Sequence, residues 1–289
     1  MTDLVVQSFN LPTDAIDAFR VACLAPRVRR KLNSARLLDV PDDAETRNVA
    51  AALAAYWKCD AAFVPPRQRL ADFRLLAIDM DSTLVGIETL DEVAAYAGKG
   101  QQVAAITEAA MRGEITDYKD SLRRRVAMLA GVDGNLLQRV YDQELKLNPG
   151  AEGLLLACKA AGLKTLLVTG GIRFYAERLK QRLDLDFTCA NELEIIGGRL
   201  TGQVRGPTQN DGEIVDATGK ARALRETCAA IACLPQQAIA IGDGANDLAM
   251  MKLAGMSVAY RAKPIAQQQA AQALNYSGLD GVLAWFNDA

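Results

Sequence analysis

Asp79 and Asp81 stand two residues apart, just after the apolar run Leu75-Leu76-Ala77-Ile78, with Thr83 two residues further on. Two carboxylates this close are unstable unless a cation or a shared proton intervenes. Two more clusters carry matching chemistry. Thr169-Gly170-Gly171 follows an apolar run over residues 163–168 and offers a hydroxyl and backbone N–H groups at a helix start, which reads as a phosphate cradle. Gly242-Asp243-Gly244-Ala245-Asn246-Asp247 follows a third apolar run over 238–241 and brings further carboxylates. Lys220, on the stretch before that run, adds a fixed positive charge for phosphate oxygens. An oxygen-rich site of this kind suits Mg²⁺. A carboxylate attacks phosphorus only where positive charge cancels their repulsion, and such an attack leaves an aspartyl-phosphate.

Each cluster follows a run typical of a strand buried on both faces. In open α/β sheets, ligands bind beyond the carboxyl ends of such strands. Helices are predicted at 151–161, 174–183 and 218–232, with a further strand at 187–190 and a hairpin over 193–203 turning at Gly197-Gly198. This alternation predicts an α/β fold with a doubly wound parallel sheet. Residues 85–147 carry no strand pattern and read as four helices broken at Gly98, Gly113 and Gly131, an inserted helical cap placed to act as a lid. Residues 1–70 read as a small unit in the order β-α-β-α-β. The basic cluster Arg27, Arg29, Arg30 and Lys31 reads as a solvated loop, because no aromatic residues are interleaved with it. Pro65-Pro66-Arg67-Gln68-Arg69 reads as a linker. The expected division is therefore an N-terminal domain over 1–70, a core over 71–84 and 148–289, and a cap over 85–147.

Composition removes several alternatives. The chain of 289 residues contains no histidine, which excludes Ser-His-Asp and Cys-His catalysis, phosphohistidine intermediates and His-ligated zinc. A net charge of −2 gives no general attraction for nucleic acid or an anionic membrane. No apolar run approaches the roughly 20 residues that span a bilayer. The stretch Met1-Thr2-Asp3-Leu4 lacks the basic flank and long apolar core of a signal peptide. Six scattered cysteines without a CxxC pair read as reduced thiols of a cytoplasmic protein.

Taken together, Asp79-Met80-Asp81-Ser82-Thr83, Thr169-Gly170-Gly171, Lys220 and the 242–247 run resemble the haloacid dehalogenase superfamily of phosphatases, and within it the branch acting on phosphoserine. Glu88 matches a glutamate of that pattern, and 110–114 and 121–126 match its cap. The resemblance implies Asp79 as nucleophile and Asp81 as the acid and base. It implies Mg²⁺ held by Asp79, Asp243 and the backbone carbonyl of Asp81, with Asp247 and Thr83 in support. Thr169, Gly170 and Lys220 would hold phosphate, with Asn246 near the substrate. Glu88 would meet the substrate ammonium and Arg125 its carboxylate, while Met111 and Tyr118 would be apolar cap contacts. The chain departs from the pattern at Thr169, where many relatives have Ser, at Tyr118, where Phe is frequent, and in a longer loop over 206–212. The implied reaction is hydrolysis of phosphoserine to serine and phosphate, the last step of serine biosynthesis. The alternative is phosphoryl transfer, or hydrolysis of another small phosphate ester. Residues 1–70 resemble ACT-like amino-acid-sensing modules only weakly, being short of strands. They are read as a structural or dimerising appendage, which leaves a homodimer open.

Overall fold

Strand β5 (Leu75–Ile78) is buried along its whole length and lies at the centre of a seven-stranded sheet. In this computed structural model, residues 1–112, 114–208 and 212–289 are described, with Met111 through its backbone alone. The sheet order is β11-β10-β9-β5-β6-β7-β8, with β6 (Lys164–Ile172), β7 (Phe187–Ile196), β8 (Arg199–Arg205), β9 (Ala238–Gly242), β10 (Met256–Tyr260) and β11 (Gln272–Leu274). Every pairing is parallel except that of β7 with β8. The chain order reverses direction at β5, the place where such sheets bind ligands. The three strands that end in the sequence clusters, β9, β5 and β6, are immediate neighbours, with Ile78 opposite both Ile241 and Leu167.

Alternation along these strands builds two cores. Leu76, Ile78, Ile239 and Ile241 face one side, and Leu75, Ala77, Ala238 and Ala240 face the other. Helices α7 (Ala151–Ala160), α8 (Arg173–Leu183) and α9 (Ala217–Ala230) cover the sheet, and two short helices, α10 (Leu248–Met251) and α11 (Pro264–Gln269), follow β9 and β10. The start of α9 is fixed by Asp216, whose carboxylate accepts from Gly219 N at 2.8 Å.

The insertion predicted after β5 is helical: α3 (Thr89–Tyr96), α4 (Gly100–Met111), α5 (Tyr118–Ala127) and α6 (Asn135–Gln143). The chain enters and leaves it through adjacent extended segments, tied by Gly86 N to Lys146 O at 3.0 Å and Asn148 N to Leu84 O at 2.9 Å. The β7–β8 hairpin reaches up to the cap, accepting from Gly131 N on Leu200 O and from Gly134 N on Gly198 O, both at 2.8 Å. The 187–190 strand and the first arm of the hairpin, predicted as separate pieces, are one strand, β7.

Residues 2–64 form a four-stranded antiparallel sheet in the order β2-β3-β1-β4, from β1 (Thr2–Gln7), β2 (Arg27–Arg30), β3 (Ser34–Val40) and β4 (Asp60–Val64). Helices α1 (Thr13–Ala22) and α2 (Ala44–Trp57) pack against it. The basic cluster is therefore an edge strand and not a loop. Its arginines remain in water while its backbone pairs with β3, and a row of like charges on an open edge resists pairing with a copy of itself. The other face of this sheet lies against the core. Arg36 is buried between Asp3, at 3.1 Å, and the carbonyl of Ala284, at 3.0 Å. Asp60 caps the chain after β11, accepting from Asn275 N at 2.6 Å and Tyr276 N at 3.1 Å. Among the described residues no helix is long and apolar enough to cross a membrane.

Removing one member of the buried Asp3–Arg36 pair strands the other charge. R36M is expected to cost about 3 kcal/mol in urea unfolding, and D3N/R36M less than R36M alone. A loss below about 1 kcal/mol for R36M would show that water reaches Asp3.

Candidate active site

The site begins where β5 ends. Asp79 still pairs with the sheet, donating from its N–H to Ile241 O at 3.0 Å. Its Oδ1 accepts from Met80 N at 2.8 Å and from Lys220 Nζ at 2.7 Å, and Oδ2 takes neither bond. The chain then swings out of the sheet. Asp81 stays extended, but Ser82 has φ 56° and ψ −2°, a left-handed conformation that costs energy outside glycine. Leu84 N to Asp79 O at 3.2 Å and Val85 N to Met80 O at 3.0 Å close the turn. The swing sends Asp81 toward different partners. Its Oδ1 accepts from Thr89 N at 2.8 Å, at the start of α3, and its Oδ2 from Thr169 Oγ1 at 3.2 Å. Asp81 is thus clamped between the cap and β6.

Thr169-Gly170-Gly171, placed by the sequence after the apolar run at a helix start, still belongs to the strand. Strand β6 continues through it to Ile172, with a bulge: Val168 faces Cys189 and Ile172 faces Asn191 on β7. The bulge releases three residues from sheet pairing and presents them to the site. Both glycines let side chains of the site approach closely. A Cβ on Gly170 would stand 2.1 Å from the Tyr118 hydroxyl, and one on Gly171 2.2 Å from Asp81 Oδ2. Thr169 Oγ1 also accepts from Gly171 N at 2.8 Å, which holds its rotamer.

The third element brings the remaining charge. Lys220, fully buried on α9, donates to Asp247 Oδ1 at 2.8 Å as well as to Asp79. Asp247 Oδ2 accepts from the backbone N–H groups of Asp243, at 3.2 Å, and Gly244, at 3.0 Å. Thr83 donates to Asp243 Oδ1 at 3.3 Å. Carboxylate oxygens of Asp79, Asp243 and Asp247 all lie within 4.8 Å of one another. Burial pushes Asp79 well above the usual carboxylate range, with Asp247 adding to the push and Lys220 opposing it. Burial, then Asp247 and Glu88, raise Asp243 to about 6. Burial and Glu88 bring Asp81 also to about 6, against the hydrogen bonds from Thr89 and Thr169. A hard, all-oxygen set whose members resist ionising together fits a divalent cation. The cluster contains the carboxylate of Asp247 and not that of Asp81, which is turned toward Thr89 and Thr169.

Asp79, Asp81, Thr169 and Asp243 open on a cavity of about 640 Å³ beneath the cap. Glu88, Arg125, Tyr118 and Asn246 line it together with Asp79 and Thr169. Of the three adjacent arginines, Arg123 and Arg124 are exposed, Arg124 pairing with Asp120 at 2.8 Å, while Arg125 turns inward. Glu88 is held by Ser82 Oγ at 2.8 Å. Tyr118 contributes more than an apolar face, donating to Gly170 O at 3.3 Å. Met111, expected beside it, has a side chain outside the described residues. Sequence reasoning missed Asn148, whose Nδ2 donates to Thr83 O at 2.8 Å and Val85 O at 3.2 Å and so supports the turn. In the sequence, Asn148-Pro149-Gly150 marked only the end of the helical insertion. It also missed Asp91, one turn along α3 from Glu88. Asp91 Oδ1 and Arg125 Nε are both buried without a hydrogen-bond partner among the described residues, and both residues line the cavity.

The sequence pattern of haloacid dehalogenase-like hydrolases matches residues 76–252, which carry every one of these groups. The chain belongs to the haloacid dehalogenase-like hydrolase family. Two curated relatives, both named phosphoserine phosphatase, come from a Polaromonas species and from Albidiferax ferrireducens. They are 54% identical over 75% of this chain and 92% of the relative, and 52% identical over 78% and 93%. Among solved structures, a haloacid dehalogenase family hydrolase from Salmonella enterica serovar Typhi superposes with a TM-score of 0.88 at 30% identity, covering 100% of this chain and 99% of that one. An unliganded probable phosphoserine phosphatase from Vibrio cholerae gives 0.82 at 33% identity, covering 98% and 85%. Both likenesses extend through the N-terminal sheet.

The raised carboxyls set the pH dependence of cation binding. Below about pH 6 Asp243 holds a proton that a cation must displace, so affinity rises with pH through that range and then levels. Mn²⁺ binding followed by electron paramagnetic resonance is expected to be weaker by about tenfold or more at pH 5 than at pH 7. Equal affinity at both values would mean that these carboxyls are already ionised.

Proposed function

We propose that this chain is a Mg²⁺-dependent phosphomonoesterase that hydrolyses O-phosphoserine to serine and phosphate, the closing step of serine biosynthesis. The observation that carries the reading is that one cavity is lined by two unlike sets of groups. One set is Asp79 and Thr169, with Lys220 bonded to Asp79 behind the lining, and the other is Glu88 and Arg125. The first set suits a phosphate and the second a zwitterion, since an ammonium needs an anion and a carboxylate needs a fork of donors. The names of the relatives agree with this reading.

Asp79, Asp243 and the Asp81 backbone carbonyl would hold Mg²⁺, with Asp247 behind them, and the ion would supply the charge that lets phosphate oxygens approach carboxylates. A carboxylate oxygen of Asp79 attacks phosphorus as the bond from phosphorus to the serine oxygen breaks. Asp81 gives its proton to that oxygen, and free serine departs. Water then attacks the phosphorus on Asp79, giving a proton to Asp81, and the bond to Asp79 breaks to release phosphate. A carboxyl near 6 suits both duties, because it exchanges its proton close to neutral pH. Lys220 opposes the rise that burial imposes on Asp79 and orients its carboxylate through the 2.7 Å bond to Oδ1. Six unpaired cysteines fit action in the reducing cytoplasm.

Asp79→Asn keeps the shape of the side chain but removes the nucleophile, so turnover is expected to fall by at least about 10⁴-fold while the circular dichroism spectrum is unchanged. An active, homogeneous D79N would end this mechanism. Glu88→Ala is expected to lower kcat/KM for phosphoserine by about 100-fold and for p-nitrophenyl phosphate by less than about threefold. Equal losses on both would leave Glu88 without a role at the ammonium.

A further inference from the structure

We propose that Asn191 is a positioning residue that locks the two phosphate-side elements of the site to each other. The inference rests on the phosphatase reading above. Asn191 sits on β7, opposite the bulge of β6, and is 1% exposed. Its two side-chain hydrogen bonds among the described residues go to backbone atoms and not to the catalytic side chains. Its Nδ2 donates to Gly170 O at 2.8 Å, and its Oδ1 accepts from Val215 N at 2.8 Å. A carbonyl only accepts and a backbone N–H only donates, so the amide has one possible orientation and both ends are used.

The first bond acts on the Thr169 side. A peptide unit is planar and trans, so its C=O and N–H point in opposite directions. With Gly170 C=O drawn onto Asn191, the N–H of Gly171 is aimed at Thr169 Oγ1, which it reaches at 2.8 Å. That bond sets the threonine rotamer, leaving the hydroxyl proton for Asp81 Oδ2 at 3.2 Å. The second bond acts on the Lys220 side. Val215 precedes Asp216, which caps α9, and Lys220 N bonds back to Asp216 O at 2.9 Å. Lys220 then reaches Asp79 and Asp247. One buried amide therefore sets the spacing between the hydroxyl that orients the acid and the ammonium that orients the nucleophile. The Tyr118 hydroxyl, on the same Gly170 carbonyl at 3.3 Å, adds a longer bond from the cap.

N191D separates this role from simple packing, because it keeps size and acceptor but loses the donor while ionised. At pH 7.5 a carboxylate would face Gly170 O, and kcat/KM is expected to fall by about 30-fold, equally for phosphoserine and p-nitrophenyl phosphate. Inhibition by inorganic phosphate should weaken by about tenfold. A buried carboxyl titrates high, and once protonated it donates again, so the ratio of N191D to wild-type activity is expected to recover toward one as pH is lowered toward about 5.5. A folded N191D within threefold of wild type, or one with unchanged phosphate inhibition, or one whose deficit ignores pH, would overturn the proposal. Should N191D fail to fold, N191S carries the test: equal losses on both substrates with weaker phosphate inhibition support it, and unchanged phosphate inhibition overturns it. A wild-type protein inactive on every phosphate monoester would instead refute the phosphatase reading itself.

Discussion

The site depends on one balance: the ammonium of Lys220 against the buried carboxylates of Asp79 and Asp247. Burial alone would lower the lysine's hold on its proton. The two carboxylates outweigh that effect and hold its pKa above the ordinary lysine value. The lysine in turn opposes the rise that burial and Asp247 impose on Asp79. The balance is incomplete, because Asp243 brings a third carboxylate to the same few ångströms and one ammonium cannot offset three. The remaining negative charge is what makes the cluster a cation site. Structure and chemistry are the same fact here, since a centre neutral without an ion would have no reason to bind one.

The geometry that keeps the two catalytic candidates apart is a second consequence of the fold. In a regular strand, residues two apart share a face, and Asp79 and Asp81 would then repel each other across one surface. The left-handed Ser82 and the turn around it send Asp81 to the cap helix and to Thr169 instead. The cost of that turn is offset by Asn148, which ties down the carbonyls of Thr83 and Val85 at the point where the cap chain returns. Cap entry, cap exit and the position of Asp81 are therefore one structural unit.

The N-terminal sheet contributes no group to the cavity, and it is attached through buried polar contacts at Arg36 and Asp60 and not through an apolar face alone. Its strand order, with β1 between β3 and β4, needs the short arginine-rich strand to complete it. That strand escaped notice because charged side chains on an edge follow solvent, and only the backbone records the pairing.

How much could be read in advance follows from where each signal resides. Buried parallel strands leave continuous apolar runs, so β5, β6 and β9 were legible, and polar residues directly after such runs marked Asp79, Thr169 and Asp243. The helical cap was legible because 3.6-residue periodicity is local. What sequence could not carry was any relation between distant elements. The choice of Arg125 over Arg123 and Arg124 is made by how α5 lies on the core. The bulge at Thr169 exists only in the pairing of β6 with β7. Asn148 and Asn191 act through backbone atoms, which have no letters in the sequence, and so both read as ordinary polar residues. Residue types and local spacing determined which chemistry this chain could perform. Only tertiary structure decided which charges meet, because Coulomb forces and hydrogen bonds depend on distance in space and not on distance along the chain.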